Sequence, residues 1–445
     1  ACLSRADSTV MFNEIMYHPA GDETALEWVE LHNTMAVDMD ISGWSLAGGI
    51  SYTFPEGSVV RGGGFVVVAG NPAALAAAAQ IPMPAGPFEG RLENAGERLD
   101  LLNNNGRLMD CVTYRDREPW PVAADGSGAS LAKLRPASAS REPGNWAPSA
   151  VSGGTPGKVN FTAGTMPAPA PLRFNETAVG GQEGTWVELL AVAPCEKLGT
   201  MLECSSGGRL VLSTGTLAAG GRLVFSAADL GFEPSAGDKL FLRAPDGESI
   251  WDAVRLAPGL QGRFPEGTGP WCIPDAPTPG AANAVTLCED LVINEIMYHP
   301  MLDENERGEY VELYNRGAAV LDLSGFRFTD GIAFQFPEGI MLGPGAYLAV
   351  ARDPAYIRAT HGIDNVVGPF SGALANDGER IALADARGNP AGEVRYFEGD
   401  RWPAYADGGG SSLELRDPAA DNTVAEAWAA SDESGKSAWR TYSYT

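Results

Sequence analysis

Asn13-Glu14-Ile15-Met16-Tyr17-His18-Pro19 returns, seven identical residues in a row, as Asn294-Glu295-Ile296-Met297-Tyr298-His299-Pro300. After one inserted residue the two stretches stay in register at an offset of 282, from Glu30 and Glu312 to Trp146 and Trp428. Between those ends lie Ser42-Gly43 and Ser324-Gly325, Phe54-Pro55-Glu56-Gly57 and Phe336-Pro337-Glu338-Gly339, and Trp120-Pro121 and Trp402-Pro403. A repeat of this length marks a duplicated folding unit.

A fainter middle copy begins at Phe174-Asn175-Glu176 and continues with Trp186-Val187-Glu188-Leu189, matching Trp28-Val29-Glu30-Leu31. The first copy closes with Thr155-Pro156-Gly157 before Asn160, and the middle one with Thr278-Pro279-Gly280 before Asn283. These endings place three units at 9–160, 172–283 and 288–432, with 433–445 as an extension expected to lead into further domains. Phe161 to Pro171, rich in Ala, Pro and Thr, reads as a short semi-extended linker, and three units with so little slack predict a stiff rod.

Within a copy, Val10 to Tyr17 and Glu27 to Asn33 read as alternating strands, and Phe65 to Ala69 and Arg98 to Leu102 are apolar runs flanked by Gly or Asn. Strands and turns at this spacing predict an all-β chain of tandem sandwiches. Each outer copy is expected to add one short helix, because Asn71-Pro72 and Asp353-Pro354 offer an N-cap followed by proline at the first helical position.

The 445 residues are enough for two to four domains, and 55 glycines and 32 prolines suit many short strands joined by turns. With 31 Lys and Arg against 57 Asp and Glu, the net charge of −26 repels a phosphate backbone, so no nucleic-acid partner is expected. The chain opens at Ala1 and has no apolar run of bilayer-spanning length, which predicts a secreted product after signal removal and no transmembrane segment. Cys2 raises lipidation, against which Ala1 stands. None of the six cysteines has zinc spacing, so disulfides outside the cytoplasm are expected, with the candidates Cys195 with Cys204 and Cys272 with Cys288 closing short loops.

Asn-Glu-Ile, then Trp-Val-Glu-Leu with a following Asn, Leu-Ser-Gly-Phe/Trp, Phe-Pro-Glu-Gly and a closing Thr-Pro-Gly resemble the lamin-tail domain as found in bacterial secreted proteins. The resemblance is closest over Asn294 to Gly339, and the middle copy keeps neither the Leu-Ser-Gly nor the Phe-Pro-Glu-Gly positions. It implies three tandem immunoglobulin-like β-sandwich domains on a secreted or cell-surface bacterial protein. It carries no catalytic residues and no cofactor, so a binding or architectural role follows.

Glu14 with Glu30, Glu176 with Glu188 and Glu295 with Glu312 should face each other on neighbouring strands. Their recurrence in all three copies favours carboxylates accepting backbone or Arg hydrogen bonds over an acid/base pair. His18 and His299 end the first strand of their copies, where capping of local backbone is the plain reading. The calcium candidates are Asp303, Glu304, Glu306 and Glu309, in a loop that lacks EF-hand spacing and reads as readily as a solvated acidic turn. Trp120, Trp402 and Tyr405 sit in Pro-rich segments and are the candidates for stacking on a sugar or anchoring a protein, with packing across the sandwich end as the alternative. No Gly-x-Ser-x-Gly elbow or nucleophile with a base is seen.

These readings lead to a non-enzymatic extracellular structural or adhesive scaffold that contacts other copies of itself, another surface or secreted protein, or a glycan. The rival classes are an accessory region or subunit of a secreted enzyme and a calcium-dependent carbohydrate-binding protein.

Overall fold

The structure, a computed structural model, describes residues 9–161, 170–180, 184–301, 305–399 and 401–432. Cys2, linker residues 162–169 and the extension expected over 433–445 lie outside the described residues. The chain forms two compact units, Cys2–Ala284 and Val285–Thr445.

In the first unit, strand β1 (Val10–Met16) lies antiparallel between β2 (Trp28–Asn33) and β3 (Leu131–Lys133). Phe65–Ala69 beside β2 and Trp146–Pro148 beside β3 complete five strands, opposite a second five-stranded sheet that includes Arg98–Leu102 and Leu108–Thr113. Val10 and Phe12 point into the core between the sheets, and so do Ile15 and Tyr17. Alternation of period two cannot produce that set without an extra residue. The register does shift between Phe12 and Glu14, so Asn13 is a bulge that turns both itself and Glu14 onto the outer face of the sheet.

The second sandwich of this unit repeats the plan with β4 (Leu172–Val179), β5 (Trp186–Ala191) and β6 (Gly259–Arg263) in a five-stranded sheet facing four strands. Its bulge falls between Phe174 and Glu176.

The two sandwiches are joined by more than a linker. Val122 and Ala123 of the first pack on Phe241 and Ala253 of the second. Around that patch Lys239 pairs with Asp125 at 2.7 Å, Arg255 pairs with Asp116, and Arg243 donates to the carbonyl of Ser127 at 3.0 Å. Most of these charges are shielded from solvent, where an ion pair is less screened than on an open surface.

The unit Val285–Thr445 holds the third sandwich, with β7 (Leu291–Met297), β8 (Tyr310–Asn315) and β9 (Leu413–Leu415) inside a six-stranded sheet that faces three strands. The bulge recurs between Ile293 and Glu295. Helices α1 (Pro72–Ala79) and α2 (Pro354–His361) form where the N-caps predict, with Asn71 accepting from the amide of Ala74 at 3.1 Å and Asp353 from that of Tyr356 at 3.0 Å. No helix among the described residues is long and apolar enough to cross a membrane.

Candidate functional site

Each sandwich carries one pair of glutamates directly opposite across its first two strands: Glu14 and Glu30, Glu176 and Glu188, Glu295 and Glu312. Like charges so placed repel, and burial adds to the cost. The bulge asparagine answers part of it by donating to the second glutamate, from Asn13 to Glu30 at 2.7 Å, Asn175 to Glu188 at 2.8 Å and Asn294 to Glu312 at 3.0 Å.

In the first sandwich the closing segment lies over the pair. Thr155 donates its amide to Glu14 Oε1 at 2.9 Å and its hydroxyl to Oε2 at 2.8 Å, and the amide of Gly157 reaches Glu30 Oε2 at 2.5 Å. Three residues on, Asn160 donates to the carbonyls of Asn13 and Lys133. The middle sandwich repeats this with Thr278 on Glu176, Gly280 on Glu188 at 2.7 Å, and Asn283 on the carbonyls of Asn175 and Arg263. Gly157 and Gly280 sit at φ +77° and +81°, a region that favours glycine. Thr-Pro-Gly-x-x-Asn is thus a clamp on the carboxylates as well as the end of a repeat.

Burial pushes Glu14 up to about 7, and burial together with the neighbouring Glu14 pushes Glu30 up to about 9. Both carboxyls therefore hold a proton more tightly than an exposed glutamate does. In the middle sandwich Arg222 supplies positive charge instead, bonding Glu188 at 2.9 Å and Glu266 at 2.8 Å. The third pair is arranged differently. Glu295 Oε1 accepts from Tyr310 and Ser412, burial pushes Glu312 up to about 7, and among the described residues no Thr-Pro-Gly segment lies over the two.

The family model described as Lamin Tail Domain matches residues 4–116 and 285–398. The chain belongs to the lamin-tail-domain family. Its sandwiches are accordingly immunoglobulin-like, and the match falls on the two outer lamin-tail copies. A search of the curated proteins finds no match. Among solved structures, a DUF4876 family protein from Bacteroides thetaiotaomicron is 13% identical over 51% of this chain and 70% of that one, with a TM-score of 0.18. The exo-chitosanase CsxA of Amycolatopsis orientalis is 13% identical over 56% of this chain, which spans only 26% of the enzyme, with a TM-score of 0.12. Likenesses at these scores carry no argument.

The other candidate residues of this lamin-tail protein are dispersed. Trp120 and Trp402, expected in loops, are only 4% and 8% exposed and pack on Trp146 and Trp428. The alternative of packing across the sandwich end holds for both, because a flat ring set between Pro-rich turns seals apolar surface there. Tyr405 is 77% exposed.

Asp303 and Glu304 lie outside the described residues, as does the side chain of Glu306. Glu309 is not a free ligand: it is buried, pairs with Arg352 at 3.2 Å and accepts from the amide of Leu374 at 3.1 Å. Glu27, its counterpart in the first copy, does the same for Leu92 at 2.9 Å. Among the described residues no group of three or more His, Cys, Asp or Glu could hold a metal ion.

The two expected disulfides are not formed. Cys195 and Cys204 are free thiols, the latter with its sulfur 3.2 Å from the hydroxyl of Ser206. Cys288 is a free thiol packed against the core of the third sandwich, while the sulfur of Cys272 faces the carbonyl of Pro270 at 3.8 Å in the second. Short spacing along the chain gave these pairs, but each sulfur is held on its own strand or core. Cys111 is disulfide-bonded.

His18 and His299 bond carboxylates rather than local backbone, with Nδ1 at 2.5 Å from Asp125 and Asp407 respectively. Sequence reasoning also missed the contact between the first two sandwiches. A signal existed: Lys239, Arg243, Arg255 and Arg263 crowd into one stretch of a chain poor in cations.

Proposed function

We propose that this lamin-tail protein is a non-enzymatic extracellular scaffold of a bacterial surface or secretion, presenting its sandwiches to partner proteins or glycans. The observation that carries this reading is the use of the glutamate pairs. The first two pairs are buried, covered by the chain's own backbone amides and bonded to Asn, Thr or Arg. A carboxylate that is to move a proton for a substrate must be reachable by it, and these are not. The acidic surface, with its net charge of −26, argues against a nucleic-acid partner. The disulfide at Cys111 supports an oxidising compartment.

The deciding measurement is the native mass of the protein isolated gently from its source, combined with identification of any chain that travels with it. A large homogeneous assembly, or a constant non-enzymatic partner, is the expected result. A constant catalytic partner would replace the scaffold reading with that of an accessory subunit.

A further inference from the structure

At one end the middle sandwich gives up the apolar core that both outer sandwiches keep. Ile15 lies directly opposite Leu131 in the first sandwich and Ile296 opposite Leu413 in the third, all four buried in the core. The same register position on β4 and β6 holds Thr177 opposite Gln261. The paired rings of Tyr17 with Tyr114, and of Tyr298 with Tyr396, give way to Val179 and Leu256. The turn 115–130, whose Trp120 packs on Trp146, shrinks to 257–260. Trp271, which holds the place of Trp146 in the register, therefore has no second tryptophan against it among the described residues.

These exchanges leave a cavity of about 500 Å³, walled by Thr177, Gln261, Leu256 and Trp271, with the exposed Arg117 and Arg255 at its rim. That volume is ordinary for a small-molecule site. Thr177 is 1% exposed, and among the described residues its hydroxyl has no hydrogen-bond partner. A buried hydroxyl left in that state costs stability that a valine of the same shape would not. Gln261 adds a carboxamide that can both donate and accept. A sugar ring has an apolar C–H face and a rim of hydroxyls, which match a half-buried indole set beside short polar side chains. Arg255 is paired with Asp116, and Glu118 with Arg263 at 3.4 Å, whereas Arg117 has no ion pair among the described residues. An unpaired cation beside a polar cavity favours an anionic ligand.

We propose that this end of the middle sandwich binds an acidic sugar, its ring on Trp271, its hydroxyls on Thr177 and Gln261, and its carboxylate or sulfate on Arg117. The inference rests on the scaffold reading and deepens it by naming one ligand class. Its test uses purified components, so a failed titration leaves the native-mass result standing, and a monomeric native mass leaves the titration standing.

The full chain is titrated with D-glucuronate, glucose 6-sulfate and glucose, followed by ligand-observed NMR. At least one of the two anionic sugars should bind saturably, at one site per chain and about tenfold more tightly than glucose, as a charge-assisted hydrogen bond requires. Which of the two binds separates a carboxylated source from a sulfated one. Thr177→Val removes only the hydroxyl and should weaken binding about fivefold, while the melting temperature holds or rises. Gln261→Leu, which restores the residue of the outer copies, and Arg117→Ala, on an exposed side chain, should each weaken it about tenfold. Absence of saturable binding, glucose binding as tightly as the anionic sugars, or indifference to any of the three substitutions would each overturn the proposal.

Discussion

The amide of Gly157 donates to Glu30 Oε2 at 2.5 Å across 127 residues of chain. The bond requires φ +77° at Gly157, where an added Cβ would meet nothing within 4 Å. Gly157→Ala therefore costs backbone strain alone, about 1–2 kcal/mol. At Gly154 a Cβ would lie 2.7 Å from Glu14 Oε1 and 2.8 Å from the Trp28 ring, so Gly154→Ala adds crowding and should cost more. Urea unfolding followed by tryptophan fluorescence orders the two variants. A Gly157→Ala protein as weak as Gly154→Ala would mean that the clamp is misassigned.

Glu14 gives the fold a pH dependence of definite sign. Burial raises its folded value to about 7 from an ordinary 4.5, so the native state binds this proton more tightly than the unfolded chain. Its contribution is fully present below about pH 4.5 and is lost as pH rises through about 7. Glu14→Gln keeps an acceptor for Ser130 and the amide of Thr155, and removes the titration. The variant should gain on the wild type by on the order of a few kcal/mol between pH 5 and 8. Melting curves at stepped pH check this, and parallel curves for the two proteins would contradict it.

Lys239 holds Asp125 at 2.7 Å in the contact between the first and second sandwiches. Lys239→Met leaves that buried carboxylate with His18 alone, at a cost of about 1–3 kcal/mol. Calorimetry of the full chain should show the transition of unit Cys2–Ala284 lowered and split, with the third sandwich unmoved. An unchanged trace would show that the two sandwiches do not depend on this pair.

Trp402 and Tyr405 stand three residues apart and should behave oppositely. Trp402→Ala opens a cavity against Trp428 and Phe397 and is expected to cost about 3–5 kcal/mol. Tyr405→Ala removes a ring already in solvent and should stay within about 0.5 kcal/mol. Thermal melts of the two variants separate a core residue from a surface one; a destabilised Tyr405→Ala would contradict that exposure.

The repeat made the sandwich plan legible, since Asn13-Glu14-Ile15 and Asn294-Glu295-Ile296 fix the first strand of each outer copy by identity. Asn71-Pro72 and Asp353-Pro354 gave the helices because an N-cap acts on its own first turn. The clamp was only half legible: Thr-Pro-Gly was visible as an ending, but nothing local says that its amides reach Glu14 and Glu30. Trp120 and Trp402 were placed in loops with a binding role and packing across the sandwich end both left open, because a proline-rich context reports the backbone and not the direction of a ring. The cysteines failed for a related reason. Spacing in sequence gives loop length, whereas a disulfide needs two sulfurs facing each other.

The distance between a glutamate and its donors sets an order of events at the ribosome. Glu14 belongs to the first strand of its sandwich, yet its partner Thr155 is 141 residues later, and Glu176 awaits Thr278 across 102. Until Ser130 and then Thr155 emerge, Glu14 finds none of its own donors, and Glu176 finds none until Thr278 does, so each of the first two sandwiches completes this site only when its own last turn is translated. The third obeys a shorter clock, because Tyr310 follows Glu295 by 15 residues and supplies a donor almost as soon as the second strand exists.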